Sequence, residues 1–230
     1  MSSLRSISLM TLLFGVLSCS STIQGPDRET TRSQEISEGN DQNVDEENED
    51  QALLITLHLM SMCPHCATAV RELVPLLREF GDVARLRVEI VGAIIDDDVQ
   101  SLHGDPEIVG NMIELCVQEH ASHASWLSFI DCYQRNWRAI PEGWEECAQN
   151  AQVDLGPISR CLEGEEGERL LRASIIRSDE AGINSTPTFS VGGVTISGLR
   201  SIESIAQLLC DRSGEDSPEL CELVDPLTYV

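Results

Sequence analysis

Two cysteines separated by two residues, Cys63-Pro64-His65-Cys66, stand where one backbone pattern ends and another begins, and this junction limits the fold more than any other feature. Before it, residues 52–60 are an apolar run of strand length rich in Leu and Ile. After it, residues 67–80 repeat apolar side chains at helical spacing. Gly81-Asp82 breaks that helix, and residues 83–95 read as a second strand in which Leu86, Val88 and Ile90 alternate with Arg85, Arg87 and Glu89. A strand, a helix and a strand of these lengths imply a parallel pair. Residues 106–161 are helical in pattern, broken at 138–143 around Pro141, and a further helix over 165–181 stops at Gly182. Residues 188–191 and 194–196 flank Gly192-Gly193 as a hairpin, and residues 201–210 close the fold as a helix. The expected class is α/β, with a helical insert over about 104–181 and an irregular tail from 211.

Of the 230 residues 41% are apolar, enough for one real core with appendages. A formal charge of −24 excludes nucleic acid as the main partner, because phosphate binding needs a basic face. Nine cysteines are many for a reduced cytosol and point to an oxidising compartment. The N-terminus agrees: Arg5 precedes an apolar run over 7–17 that is too short to span a bilayer, and small residues follow. Residues 1–18 are therefore expected to be a signal peptide. Val16-Leu17-Ser18-Cys19 resembles the lipobox of bacterial lipoproteins, which implies a lipid on Cys19 and an envelope lipoprotein facing the periplasm, anchored in the outer membrane. Residues 19–50 hold almost no apolar side chain and are expected to be an acidic disordered linker, long enough to reach roughly 30 Å. The folded domain is then 51–211 and the tail 212–230.

A Cys-x-x-Cys that opens a helix sets its first sulfur beside unpaired backbone N–H groups at the positive end of the dipole, which favours thiolate. Cys63 is the expected nucleophile and Cys66, one turn on, the resolving thiol. Pro64 suits the first helical turn, where no donor is lost. His65 is expected to add positive charge or a hydrogen bond near the sulfur. The same spacing also occurs in short-range disulfides and in half zinc sites, so a metal-binding lipoprotein is a rival reading. Thr186-Pro187-Thr188, placed just before a strand, is the second mark that favours redox chemistry.

On these residues, from about 52 to 211, the chain resembles the DsbA-like branch of the thioredoxin superfamily, where Cys-Pro-His-Cys is a familiar tetrapeptide. The resemblance implies a thioredoxin-like fold and a thiol-disulfide oxidoreductase acting on cysteine-containing secreted proteins, served by a membrane or soluble redox partner and needing no organic cofactor. It also implies that Pro187 is a cis proline facing the sulfurs and that Thr186 presents backbone to an extended substrate. A second resemblance, to the gamma-interferon-inducible lysosomal thiol reductase family, rests on residues 101–111, Ser-Leu-His-Gly-Asp-Pro-Glu-Ile-Val-Gly-Asn. His103, Gly104, Glu107 and Asn111 keep register with a signature of that family, while Ser101 and Ile108 replace its two cysteines. Trp144 to Cys147, Ile158 to Cys161 and Gly164 to Gly167 also look like its later half. The tetrapeptide leans toward an oxidase and the insert toward a reductase or isomerase.

Six other cysteines allow 15 pairings. Antiparallel helices favour nested bridges, Cys116 with Cys161 and Cys132 with Cys147, with sequential pairs still open, and Cys210 with Cys221 would pin the tail. His120 and His123 fit a solvated helix face better than a metal site, so no metal is expected. His58 reads as a strand histidine, His103 as shaping the entry to the insert, Trp126, Trp137 and Trp144 as packing, and Asp96-Asp97-Asp98 as a solvated loop.

Overall fold

A computed structural model describes residues 52–196, 201–213 and 221. The expected signal peptide, Cys19, the linker and nearly all of the tail lie outside the described residues. No helix among the described residues is long and apolar enough to cross a membrane.

The first strand, β1 (Leu53–Leu59), leads through the Cys-x-x-Cys into α1 (Pro64–Phe80), and β2 (Ala84–Ile90) returns parallel to β1. After the insert, β5 (Thr188–Val191) and β6 (Val194–Ile196) form a hairpin whose first strand runs antiparallel to β1. The sheet order is β2-β1-β5-β6, and α7 (Ser201–Ser213) follows. That helix passes the point at 211 where an irregular tail was expected to begin. The register places Ile55, Leu57 and Leu59 of β1 opposite Leu86, Val88 and Ile90 of β2, all buried, and they share one core with Cys66, Val70, Leu73, Val74 and Leu77 of α1.

The run over 83–95 is not one strand. It stops at Ile90, and residues 93–95 become β3 (Ala93–Ile95), paired with β4 (Asp98–Gln100). Asp96 and Asp97 both have positive φ, 50° and 69°, which gives the two-residue turn the hand that matches strand twist. Asp98 belongs to β4 rather than to a loop. Arg172 reaches this turn, donating to Asp97 Oδ1 at 3.3 Å and to its carbonyl at 2.5 Å.

The insert comprises α2 (Asp105–His120), α3 (His123–Arg135), α4 (Trp144–Asn150), α5 (Leu155–Glu163) and α6 (Glu166–Glu180). It is not a separate body, since Ile113, Trp126, Phe129, Ile130 and Tyr133 join the core of the sheet. The break near Pro141 holds a cis Ile140–Pro141 bond, and Tyr133 donates its hydroxyl to the Pro141 carbonyl at 3.3 Å. Two bridges staple the helices in the nested arrangement, Cys116 to Cys161 and Cys132 to Cys147. Cys210 and Cys221 lie side by side, with a hydrogen bond between their side chains.

The insert also covers the edge of the sheet. β2 is an outer strand, and its outward N–H groups would be unpaired. Leu86 N–H donates to His123 Nε2 at 2.9 Å, Val88 N–H to Gln118 Oε1 at 2.6 Å, and Ile90 N–H to Ser174 Oγ at 2.7 Å. His120 ends α2 and His123 begins α3, so the two do not share a helix face, and His123 is half-buried rather than solvated. Burial first, and then the neighbouring Arg85, pushes His123 down to about 4. On the other face of β1 and β2, Glu89 is 3% exposed rather than solvated. Arg177 grips its carboxylate with two donors at 2.8 and 3.0 Å, and His58 beside it lies between Ser178 at 2.9 Å and Ser190 at 3.2 Å.

Two outcomes follow from these contacts. Because the chain entropy a bridge removes from the unfolded state grows with the logarithm of the loop it closes, Cys116→Ala/Cys161→Ala, with a separation of 45, should cost about 4 kcal/mol, against about 3 kcal/mol for Cys132→Ala/Cys147→Ala, with a separation of 15. Guanidinium unfolding of the two double variants checks this order. Between its folded value of about 4 and an ordinary histidine value of about 6.5, His123 is protonated only in the unfolded chain. Its contribution to stability is therefore whole above that range and is lost as the pH falls through it. His123→Gln, which keeps an acceptor for Leu86, should show a smaller loss of melting temperature between neutral pH and pH 4 than the parent chain.

Candidate active site

Cys63 is the N-cap residue of α1, in extended conformation, with Pro64 as the first helical residue. Cys63 N–H donates to the Met60 carbonyl at 3.0 Å, which turns the end of β1 into the helix. Both sulfurs sit at the positive end of α1, whose first turn carries no acidic residue to offset it. Cys63 is 6% exposed and Cys66 fully buried, so an incoming group meets Cys63 first.

The two thiols are driven apart. The hydrogen bond from the Cys66 thiol, followed by the Cys66 backbone N–H, the Thr186 hydroxyl and the His65 backbone N–H, draws Cys63 down to about 5 against the opposing effect of its burial. Cys66 moves the other way, raised because its proton is held toward the Cys63 sulfur and because it is buried. At neutral pH the pair is a thiolate with a thiol donating to it. The His65 side chain is exposed, and its share in this arrangement comes through backbone N–H rather than through the imidazole expected from the sequence.

The Thr186–Pro187 bond is cis. The loop before β5 meets the start of α1, where Thr186 Oγ1 donates to Cys63 Sγ at 3.7 Å. The sequence reading assigned Thr186 only a backbone role, so this hydroxyl contact was missed; a hydroxyl beside a cis proline in such a loop was the available signal.

Of a second group, the sequence singled out Glu107 and Asn111 through the resemblance alone, and their burial beside the Cys63 loop was missed. Glu107, Asn111 and Glu114 of α2 and Gln134 of α3 are buried polar residues close to Ser61 and Met62. Burial pushes the Glu114 carboxyl up to about 8, so near neutrality it is mainly the uncharged acid against the Gln134 amide. His103, expected to shape the entry, instead faces Glu107, with Nδ1 2.8 Å from Oε1. His120, Cys161 and Glu166 lie close enough to hold an ion, but Cys161 is committed to its bridge with Cys116 and offers no thiolate. The remaining sequence candidates, Cys116, Cys132, Cys147, Cys161, Cys210 and Cys221, lie in the bridges and the cysteine pair already described.

The titration of Cys63 is the direct readout. In the reduced protein, thiolate ultraviolet absorbance should rise with a midpoint near pH 5 and disappear in Cys63→Ser, and Thr186→Val should move the midpoint upward. Because the folded value lies below the unfolded one, the reduced form should gain stability over the oxidised form as the pH rises from about 5 and lose that gain on acidification.

Residues 54–151, from β1 through α4, match the sequence model of the gamma interferon inducible lysosomal thiol reductase (GILT) family. GILT-like protein 2 of Drosophila melanogaster is 26% identical over 148 residues, which cover 62% of this chain and 70% of the fly protein. The gamma-interferon-inducible lysosomal thiol reductase of Carassius auratus is 24% identical over 190 residues, covering 73% and 71%. Among solved structures, reduced DsbA from Mycobacterium tuberculosis superposes with a TM-score of 0.55 at 14% identity, covering 75% of this chain and 89% of that one, a likeness of fold. Sequence and fold thus converge from two sides, and the chain is a thiol-disulfide oxidoreductase on the thioredoxin fold, with a GILT-type match over residues 54–151.

Proposed function

We propose that the chain introduces disulfides into secreted or envelope proteins through Cys63 and Cys66. The observation that carries this reading is the split between the two thiols: an enzyme whose reduced form is stabilised by a thiolate at about 5 has a disulfide that readily takes electrons. In the oxidised enzyme a substrate thiolate attacks Cys63 Sγ, the Cys63–Cys66 bond breaks, and Cys66 leaves and collects a proton. A second substrate thiolate then attacks the substrate sulfur of the mixed disulfide and expels Cys63 as thiolate. The substrate has lost two electrons and the enzyme has gained them, to be passed to a membrane or soluble partner. The Thr186-Pro187 loop, set against Cys63, is suited to pair with an extended substrate backbone. The Cys210–Cys221 pair is read as a closable bridge that pins the tail. Export and a lipid on Cys19 belong to the same proposal, supported by the apolar run over 7–17 and by nine cysteines.

The match to a thiol reductase family over residues 54–151 supports a second reading, in which electrons flow from the enzyme to substrate disulfides. The equilibrium potential of the Cys63–Cys66 pair against glutathione, measured on the full chain with Cys63→Ser as control, separates the two. The oxidase reading expects about −120 mV; a value near −270 mV would establish the reductase, and no exchange at all would remove both.

A further inference from the structure

The loop that delivers Cys63 hangs from α2. Ser61 is fully buried, and its N–H donates to Asn111 Oδ1 at 2.9 Å while its hydroxyl donates to the Glu107 carbonyl at 3.3 Å. Its own carbonyl accepts from Gln134 Nε2 at 3.2 Å. Met62 N–H donates to Glu107 Oε1 at 3.1 Å. Both backbone N–H groups just before Cys63 therefore end on two side chains one helical turn apart. Those side chains are fixed in turn: Glu107 has no exposed surface, and its carboxylate also accepts from the Ser101 hydroxyl, from His103 N–H at 3.3 Å and from His103 Nδ1. The helix lies flush against the loop because position 110 is glycine. A Cβ there would stand 2.7 Å from Ser61 Oγ and 2.3 Å from Ile140 Cγ2.

We infer that Asn111 and Glu107 are positioning residues for Cys63, holding its sulfur in register with the Thr186 hydroxyl, the Cys66 thiol and the first N–H groups of α1. The inference rests on the reading of Cys63 as the attacking sulfur. The register matters because the thiolate is stabilised by short-range hydrogen bonds, and the one from Thr186 already spans 3.7 Å, so a small retreat of the loop forfeits it. Neither anchor touches a sulfur. Their effect passes through the backbone of Ser61 and Met62, and the segment that supplies them, 101–111, is the one that keeps His103, Gly104, Glu107 and Asn111 in register with a family signature. Ser101 stands in place of a signature cysteine and donates to the Glu107 carboxylate.

The test uses the full chain in its reduced form and reads two quantities, the ultraviolet titration of the thiolate and the rate of alkylation near pH 5. Asn111→Leu and Glu107→Leu keep volume but remove the acceptors, and each should raise the midpoint by about one pH unit, a roughly tenfold loss of thiolate on the acid side. Glu107→Gln keeps an oxygen for Met62 N–H and should stay within about threefold of the parent rate. His123→Leu removes the acceptor of Leu86 N–H toward the other end of β2, opposite Ile55 of β1, and should lower the melting temperature while leaving the thiolate midpoint in place. A folded Asn111→Leu and a folded Glu107→Leu that titrate like the parent would overturn the inference. Should neither fold, amide exchange of the parent chain decides: slow exchange at Ser61 and Met62 supports the brace, and exchange as fast as an open loop sinks it. If the low midpoint survives Cys63→Ser, the assignment of the nucleophile fails instead, and the slow amides at Ser61 and Met62 would still stand.

Discussion

Backbone N–H groups that the sheet cannot pair are the constraint around which this structure is arranged. An open sheet of order β2-β1-β5-β6 leaves the outer side of β2 bare, and the turn from β1 into α1 cannot use the ladder either. A buried amide without a partner costs on the order of 1–3 kcal/mol, so several together could not be tolerated. Side chains of α2, α3 and α6 take them: His123, Gln118 and Ser174 along β2, and Asn111 and Glu107 at Ser61 and Met62. The insert is thus part of the scaffold of the sheet and of the candidate redox loop.

That arrangement explains a feature of α2 that an apolar-stripe reading passes over. Glu107, Gly110, Asn111 and Glu114 recur at the spacing of one helix face, and it is the buried face. A polar stripe turned inward is costly unless each group finds a partner, and Ser61, Met62 and Gln134 supply most of them. Among the described residues, Glu114 Oε2 and Gln134 Oε1 still lack one. They are the two atoms that a protonated carboxyl facing an amide would be able to join, in keeping with the upward displacement of Glu114 to about 8.

The two sulfurs show how the fold converts a common motif into specific chemistry. Helix position already biases Cys63 toward thiolate, but the rest of the effect comes from partners distant in sequence or shielded by packing: the Thr186 hydroxyl, across 123 residues, and the buried Cys66 thiol. Depth separates the pair further, because Cys66 is fully closed off while Cys63 keeps 6% of its surface exposed. The same tetrapeptide on an isolated helix would lack the Thr186 hydroxyl and the shielding of Cys66.

Local pattern was enough to place β1, α1, the β5–β6 hairpin and the parallel β1–β2 pair, because apolar periodicity and turn residues act within a few positions. It was also enough to single out Cys63, Cys66, Thr186 and Pro187 as candidates. It did not show that the run over 83–95 divides at Val91-Gly92, that Glu89 is buried under Arg177, that His123 accepts from a strand edge, or that the His65 imidazole stays in solvent. Each of these depends on what another element brings alongside, and a side chain carries no record of that neighbour in its own spacing. Sequence alone determined most of the elements and the candidate tetrapeptide; tertiary structure decided which buried polar groups meet, because hydrogen bonds between distant segments exist only after the apolar faces have packed.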